Sequence, residues 1–563
     1  MALKKMHSSF RTLFVVMLSF FPSLSMAKHY YYNNTVPPAT FCDTTEDPAY
    51  CKTLLANQYG TGYDYGRICV QKSVSQSHSF LNLMDSYLQD GSSYDQNTIR
   101  ALEDCRFLAE LNLDFLYNTQ ETVNKSSNVL QSSHAEDIVT QLSATLTNQQ
   151  TCLDGLQTTA SDERVKSYLS SMLSNDTKLH SMSLCLFRRG WAPEKKIKHS
   201  WKQNGRLPYK MPKRVRDMYD SGRGRHGNHG RHHHLRKLLQ TESVNVRDMV
   251  VVSKDGSGNF TTINAAISAA PNNTASSDGY FLVFIKKGVY EEYVSIAKNK
   301  KHLMLVGDGI NQTIITGDRN VVDGSTTFNS ATFAVVGQGF VAVNITFRNT
   351  AGPSKHQAVA LRSGADLSAF YMCSFEGYQD TLYTHSMRQF YSDCHIYGTV
   401  DFIFGNAAVV FQNCNIFPRL PMTGQFNSIT AQGRTDPNQN TGISIHNATI
   451  RAADDLAPRV GVVKTYLGRP WKQYSRTVFM ESFMDGFVDP AGWHDWSGSF
   501  ALNTLYYAEH KNAGSGSSTA SRVSWPGYHV IGAMDAANFT VSNFLQGDSW
   551  LPQTGVPFLN GLI

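Results

Sequence analysis

The spacing of apolar residues divides the chain into three textures. From about Thr40 to Arg189 they recur at helical intervals: Phe80, Leu83, Met84, Tyr87 and Leu88 share one face, and Cys105, Leu108, Leu111 and Phe115 share another. Val139, Leu142, Leu146, Leu153 and Leu156 form a third stripe, and Val165, Tyr168, Leu169 and Met172 a fourth. Recurrence at i, i+3, i+4 and i+7 predicts amphipathic helices, and several in succession without strands predict a helical bundle. Past Val250 the pattern changes to short runs such as "FLVFI" from Phe281 and "VAVNITFRNT" from Val341, separated by Gly, Asn and Asp. These runs predict strands. The intervening segment, Gly190 to Leu239, has little apolar periodicity and predicts an exposed linker.

The strand-like runs repeat in register. "FYMCSF", "FYSDCHI" and "FQNCNI" set Cys373, Cys394 and Cys414 apart by 21 and then 20 residues, and "ISIHNATI" near Asn447 continues the series less regularly. A β repeat of about twenty residues predicts a solenoid of stacked coils, because a sandwich explains short strands but not a constant step.

Asp380 and Asp401 are separated by the same 21 residues. Residues one coil apart stack roughly 4.8 Å from each other, so both carboxylates are predicted on one face. Two carboxylates that close do not both ionise easily, and one pKa rises while the other stays low. Such a pair offers a proton donor beside an anion; an Asp ladder that caps turns is the structural alternative. "QDTLY", "HQAVALR" and "LGRPW" add Gln379, Gln357, Arg469 and Trp471. Amide N–H groups can hold an oxyanion, and a guanidinium can keep one carboxylate ionised and aimed. Spacing alone does not bring Gln357 or Arg469 to the pair.

Composition narrows the setting. The 563 residues exceed one ordinary core, so more than one domain is expected. With 41% hydrophobic and 17% charged residues, global disorder is excluded. The net charge of +6 is concentrated between Arg188 and Lys237, where sixteen Lys and Arg face Glu194, Asp217 and Asp220. Lys4, Lys5 and Arg11, the apolar run Leu13 to Phe21 and Ser25-Met26-Ala27 predict a secretory signal peptide over residues 1–27, too short to span a bilayer comfortably. Asn-x-Ser/Thr sites from Asn33 to Asn538 agree with an extracellular route. A secreted chain meets little nucleic acid, so the basic segment predicts an easily cut linker rather than a nucleic-acid partner. The tract His226 to His234, interleaved with Gly and Arg, reads as solvated linker rather than a metal site. In an oxidising compartment the nine cysteines predict disulfides rather than metal ligands, with at least one left unpaired.

From about Asp248 to the C-terminus the motifs "GVYEE", "QAVAL", "QDTLY", "DFIFGN" and "LGRPW" resemble, in order, those of the plant pectin methylesterases. That resemblance implies an all-β right-handed parallel β-helix over residues 240–563, secreted to the plant cell wall, acting as a monomer and needing no metal or organic cofactor. It implies Asp401 as nucleophile, Asp380 as general acid and then base, Gln357 and Gln379 as oxyanion donors, and Arg469 as partner of the nucleophile. Trp471 would be a sugar platform and Thr326, in "DGSTTF", a substrate contact. The implied substrate is methyl-esterified homogalacturonan, de-esterified with release of methanol. The helical region, residues 28–189, resembles the all-α pectin methylesterase inhibitor domain that precedes many of these enzymes. The resemblance pairs Cys42 with Cys51 and Cys105 with Cys152, leaving Cys69 and Cys185 open. It also pairs Cys394 with Cys414, although the 21-residue stacking equally allows Cys373 with Cys394. Residues 190–239 would carry a processing site for a subtilisin-like protease after Arg236-Lys237-Leu238-Leu239, making the chain a zymogen; separate inhibitor proteins are further expected partners.

Two rivals stand beside this reading. A carboxylate pair about 5 Å apart also suits a retaining glycosidase, but the two glutamines favour acyl chemistry. The absence of GxSxG leaves a serine mechanism without support. A non-catalytic, inhibitor-like protein would be expected to have lost an Asp, Gln or Arg of the set, and none is missing.

Overall fold

The computed structural model of the protein describes residues 30–194, 203–204, 209–210 and 244–563. The expected signal peptide, most of the linker and the processing motif Arg236 to Leu239 lie outside the described residues.

Among the described residues the N-terminal region is helical, with α1 (Pro38–Cys42), α2 (Pro48–Leu54), α3 (Gly62–Gln89), α4 (Gln96–Lys125), α5 (Ser132–Thr159) and α6 (Glu163–Gly190) as its bounded helices. Their starts follow from local chemistry. Thr61 and Asp64 form a reciprocal capping box on α3, and the carboxylates of Asp95 and Asp162 accept from the first free N–H groups of α4 and α6. The apolar stripes meet in a core around Tyr65, Leu116, Leu142, Leu186 and Trp191. Cys42–Cys51 ties α1 to α2, and Cys105–Cys152 joins α4 to α5.

The C-terminal region is a parallel β-helix of three sheets, with twelve, eight and seven strands. One coil runs Ser368–Tyr371, Ser374–Glu376, Leu382–Thr384, one strand in each sheet, and the next runs Arg388–Ser392, His395–Gly398, Ile403–Gly405. Ala369 pairs with Phe390, Ser374 with His395 and Leu382 with Ile403, a step of 21 in all three sheets. In the following coil the first two sheets advance by 20, while Ile403 pairs with Thr430, because an excursion after Pro418 lengthens the way to the third sheet.

The corner between the first and second sheets is made by one left-handed residue: Asn344, Met372, Asp393, Asn413, Asn447 and Glu481 have φ between 50° and 58°. The next residue in each of the first five, Ile345, Cys373, Cys394, Cys414 and Ala448, turns into the core. Aromatic rings stack along the same axis, Phe370 on Tyr391 and Tyr391 on Phe411 at 4.6 Å each.

The bridge expected between Cys394 and Cys414 is absent. Cys373, Cys394 and Cys414 are free and fully buried. In-register coils aim successive Cβ atoms the same way, whereas a disulfide needs them turned toward each other. Each thiol instead lies against backbone carbonyls, Cys394 Sγ at 3.3 Å from the Ser392 oxygen and Cys414 Sγ at 3.5 Å from that of Gln412. Cys69 and Cys185 are likewise free and buried. Alkylation after denaturation without reductant should therefore add five adducts by mass spectrometry; three would mean one further bridge.

Candidate active site

The third sheet carries the site. The ladder places Leu382 beside Ile403 and Tyr383 beside Phe404, so Asp380 and Asp401, two positions before each strand, stand one coil apart. The Asp380 N–H continues that ladder by donating to the Val400 carbonyl at 3.1 Å. Both aspartates adopt left-handed backbone, φ 62° and 52°, a conformation Asp tolerates better than most residues.

Their surroundings differ. Arg469, just past the strand Thr465–Gly468, grips Asp401 with its guanidinium: Nε lies 2.8 Å from Oδ1 and Nη2 lies 2.6 Å from Oδ2. The guanidinium is held against the Trp496 ring, 4.4 Å from its centroid. Burial, and then the charge of Asp401, push the Asp380 carboxyl well above the usual carboxylate range, with Arg469 opposing. One carboxylate is thus clamped and aimed while its neighbour keeps a proton.

Asp380, Asp401, Arg469, Gln357, Gln379, Thr326 and Trp471 line one cavity of about 330 Å³. The structure therefore brings together every residue expected at the site. The amides of Gln357 and Gln379 make no side-chain hydrogen bond among the described residues, which leaves their N–H groups available to an incoming oxygen. Phe328, Tyr383, Phe404 and Trp496 also line the cavity. Tyr383 and Phe404 share the 21-residue step of the aspartates, three positions later, and could have been found by that spacing.

The other wall is helical. Asp104 of α4 and Thr151, Asp154, Gln157 and Thr158 of α5 close the cavity. Thr326 donates to Asp104 at 2.5 Å, Asn329 donates to the same carboxylate, and Thr151 meets His385 at 3.0 Å. Lys472 pairs with Asp154 at 2.7 Å, Arg388 with Asp137 at 2.6 Å and Lys298 with Asp114 at 2.7 Å. Leu108, Leu156 and Leu169 join Phe328, Tyr383 and Phe404 in a shared apolar cluster. The helical region thus covers the carboxylate pair.

A β-helix cleft with an Arg-clamped carboxylate beside one whose pKa is raised, covered by a helical bundle, is the arrangement of a two-carboxylate hydrolase whose cleft is closed by a second domain. Residues 249–548 match the pectinesterase family, and residues 38–186 match the plant invertase/pectin methylesterase inhibitor family. The chain is 56% identical over 545 residues to "Probable pectinesterase/pectinesterase inhibitor 20" of Arabidopsis thaliana, covering 94% of each chain. It is 47% identical over 530 residues to "Pectinesterase 2" of Citrus sinensis, covering 93% of this chain and 94% of that one. A solved pectin methylesterase from carrot superposes with TM-score 0.55 at 56% identity, over 56% of this chain and 98% of its own. The chain belongs to the pectinesterase family. Among the described residues no helix is long and apolar enough to cross a membrane.

Burial pushes the Asp104 carboxyl up to about 7, against the opposing Thr326 hydrogen bond and Arg362 charge. In water it would return to about 3.9. The docked form then binds this proton more tightly, so the contribution of Asp104 to attachment of the helical region is fully present below about pH 4 and falls by up to about tenfold per unit until pH 7. Calorimetric titration of the two linker-cleaved parts at pH 5, 6 and 7 should show that decline, and Asp104→Asn should flatten it.

Proposed function

We propose that the protein removes methyl esters from galacturonate units of cell-wall homogalacturonan and releases methanol. The observation that carries this reading is the unequal pair: Asp401 bound by Arg469, and Asp380 held protonated beside it. An Asp401 oxygen attacks the ester carbonyl carbon, and the oxyanion that forms takes hydrogen bonds from Gln357 and Gln379. The bond to the methoxy oxygen breaks as Asp380 gives it a proton, and methanol leaves. Asp380, now an anion, takes a proton from water, whose oxygen attacks the acyl carbon and frees Asp401. Trp471, Tyr383 and Phe404 offer apolar faces for sugar rings, and Thr326 offers a hydroxyl once Asp104 withdraws.

The helical region acts in this reading as an autoinhibitor, since α4 and α5 fill the space that a polymer needs above the pair. Secretion followed by subtilisin-like cleavage after Leu239 would release the active β-helix into the wall.

Asp401→Ala should lower methanol release by on the order of 10³-fold or more without unfolding the protein, as judged by circular dichroism. New reducing ends in place of methanol would support a glycosidase instead. The chain cleaved in the linker and freed of its helical part should outperform the intact chain on methylated pectin; equal specific activity would remove the case for autoinhibition.

A further inference from the structure

A second cavity, of about 410 Å³, opens where the start of α5 and the end of α6 meet the β-helix, and it shares no lining residue with the cavity over the aspartates. Three guanidiniums line it: Arg188 in the last turn of α6, Arg434 after the third-sheet strand Asn427–Gln432, and Arg476 at the start of the first-sheet strand Arg476–Met480. Their hydrogen bonds go to neutral backbone. Arg476 Nε donates to the Thr441 carbonyl at 2.7 Å, Arg434 Nε to that of Gln439 at 3.1 Å, and Arg188 to that of Asn438. Three other sheltered guanidiniums, Arg388, Arg469 and Arg522, are each neutralised by a carboxylate. Here, among the described residues, no carboxylate stands within ion-pair distance of the three. Glu136 and Asp535 line the same cavity, and Glu136 is taken by the Asn440 amide at 2.7 Å. Burial, and then the charges of Arg434 and Arg188, push the Arg476 guanidinium well below its usual range, with Tyr506 and Glu136 opposing. Phe544 and Phe539 lie against Arg476, their ring centres 5.6 and 6.0 Å from the guanidinium carbon, so an apolar wall adjoins the cationic one.

Like charges brought together out of water are costly until an opposite charge joins them, and the planar fork of a guanidinium suits an oxyanion. We infer that this cavity binds a small multivalent oxyanion, a phosphate or a polycarboxylate, held jointly by Arg188, Arg434 and Arg476. Arg188 belongs to the helical region and the other two to the β-helix, so the complete site exists only while the two regions are docked. A ligand bound there favours the docked form by mass action, and it does so without entering the cavity over the aspartates. The inference is independent of the reaction that the aspartates perform.

Calorimetric titration of the intact chain at low ionic strength with inorganic phosphate, citrate and trigalacturonate should show saturable one-to-one binding of at least one, and the tightest of the three identifies the source. Arg188→Gln and Arg476→Gln should each weaken that binding by about tenfold or more, and added chloride should weaken it in the wild type. In the chain cut in the linker, the same anion at about ten times its dissociation constant should lower separation of the two parts by about tenfold. Arg188→Gln should abolish that anion-dependent increment, which loss of the Asn438 contact by itself does not move. Absence of saturable binding of all three anions by the wild type overturns the inference, as does unchanged affinity in both variants. Separation indifferent to the bound anion overturns its role in docking. Should Arg476→Gln fail to fold, Arg188→Gln, on the exposed end of α6, decides alone.

Discussion

The in-register stacking of parallel coils is the constraint on which the rest of this molecule depends. Between the two coils that carry the aspartates, a common step of 21 residues in all three sheets turns sequence separation into spatial adjacency, with strands roughly 4.8 Å apart. That step sets Asp380 beside Asp401, Tyr383 beside Phe404 and Cys373 beside Cys394, and the 20-residue step of the next coil adds Cys414 to the file. Close carboxylates are costly unless one is neutral, and the structure resolves the conflict by asymmetry: Arg469 holds one charge, while burial keeps a proton on the other.

The same electrostatic logic extends across the domain boundary. Asp104, Asp114, Asp137 and Asp154 of the bundle meet Thr326, Lys298, Arg388 and Lys472 of the β-helix. The exposed pair of Asp114 with Lys298 is worth little by itself, whereas Asp104, Thr326 and Arg388 are buried at the contact. Their arrangement around a shared apolar cluster gives the cover its orientation, with Phe328, Tyr383 and Phe404 supplying apolar contact and the carboxylates fixing register.

Much of this was legible in the sequence, and the limits have physical causes. The helical stripes, the coil repeat and the carboxylate pair are periodic, so they appear in one chain read alone. Docking of α4 and α5 over the cleft is not periodic: Asp104 and Asp154 contact residues more than two hundred positions away and look, in sequence, like any solvated helix face. Adjacency of Cys394 and Cys414 was also within reach, but bond formation depends on the direction of Cβ, which a parallel ladder fixes against it.

The left-handed corners carry a consequence for how this architecture can vary. From Val341 onward, the passage from first to second sheet always takes two residues, as in Met372-Cys373, Asp393-Cys394 and Asn413-Cys414. The passages into and out of the third sheet take anything from two residues, Asn406-Ala407, to the fifteen between Gly317 and Phe333. Asp380 and Asp401 sit at the entrance to that sheet and Arg469 and Trp471 at its exit. Length change is therefore confined to the two edges that border the cleft: one corner keeps the spine in step while the rims can lengthen, so substrate preference can drift between relatives without disturbing the stack that aligns the chemistry.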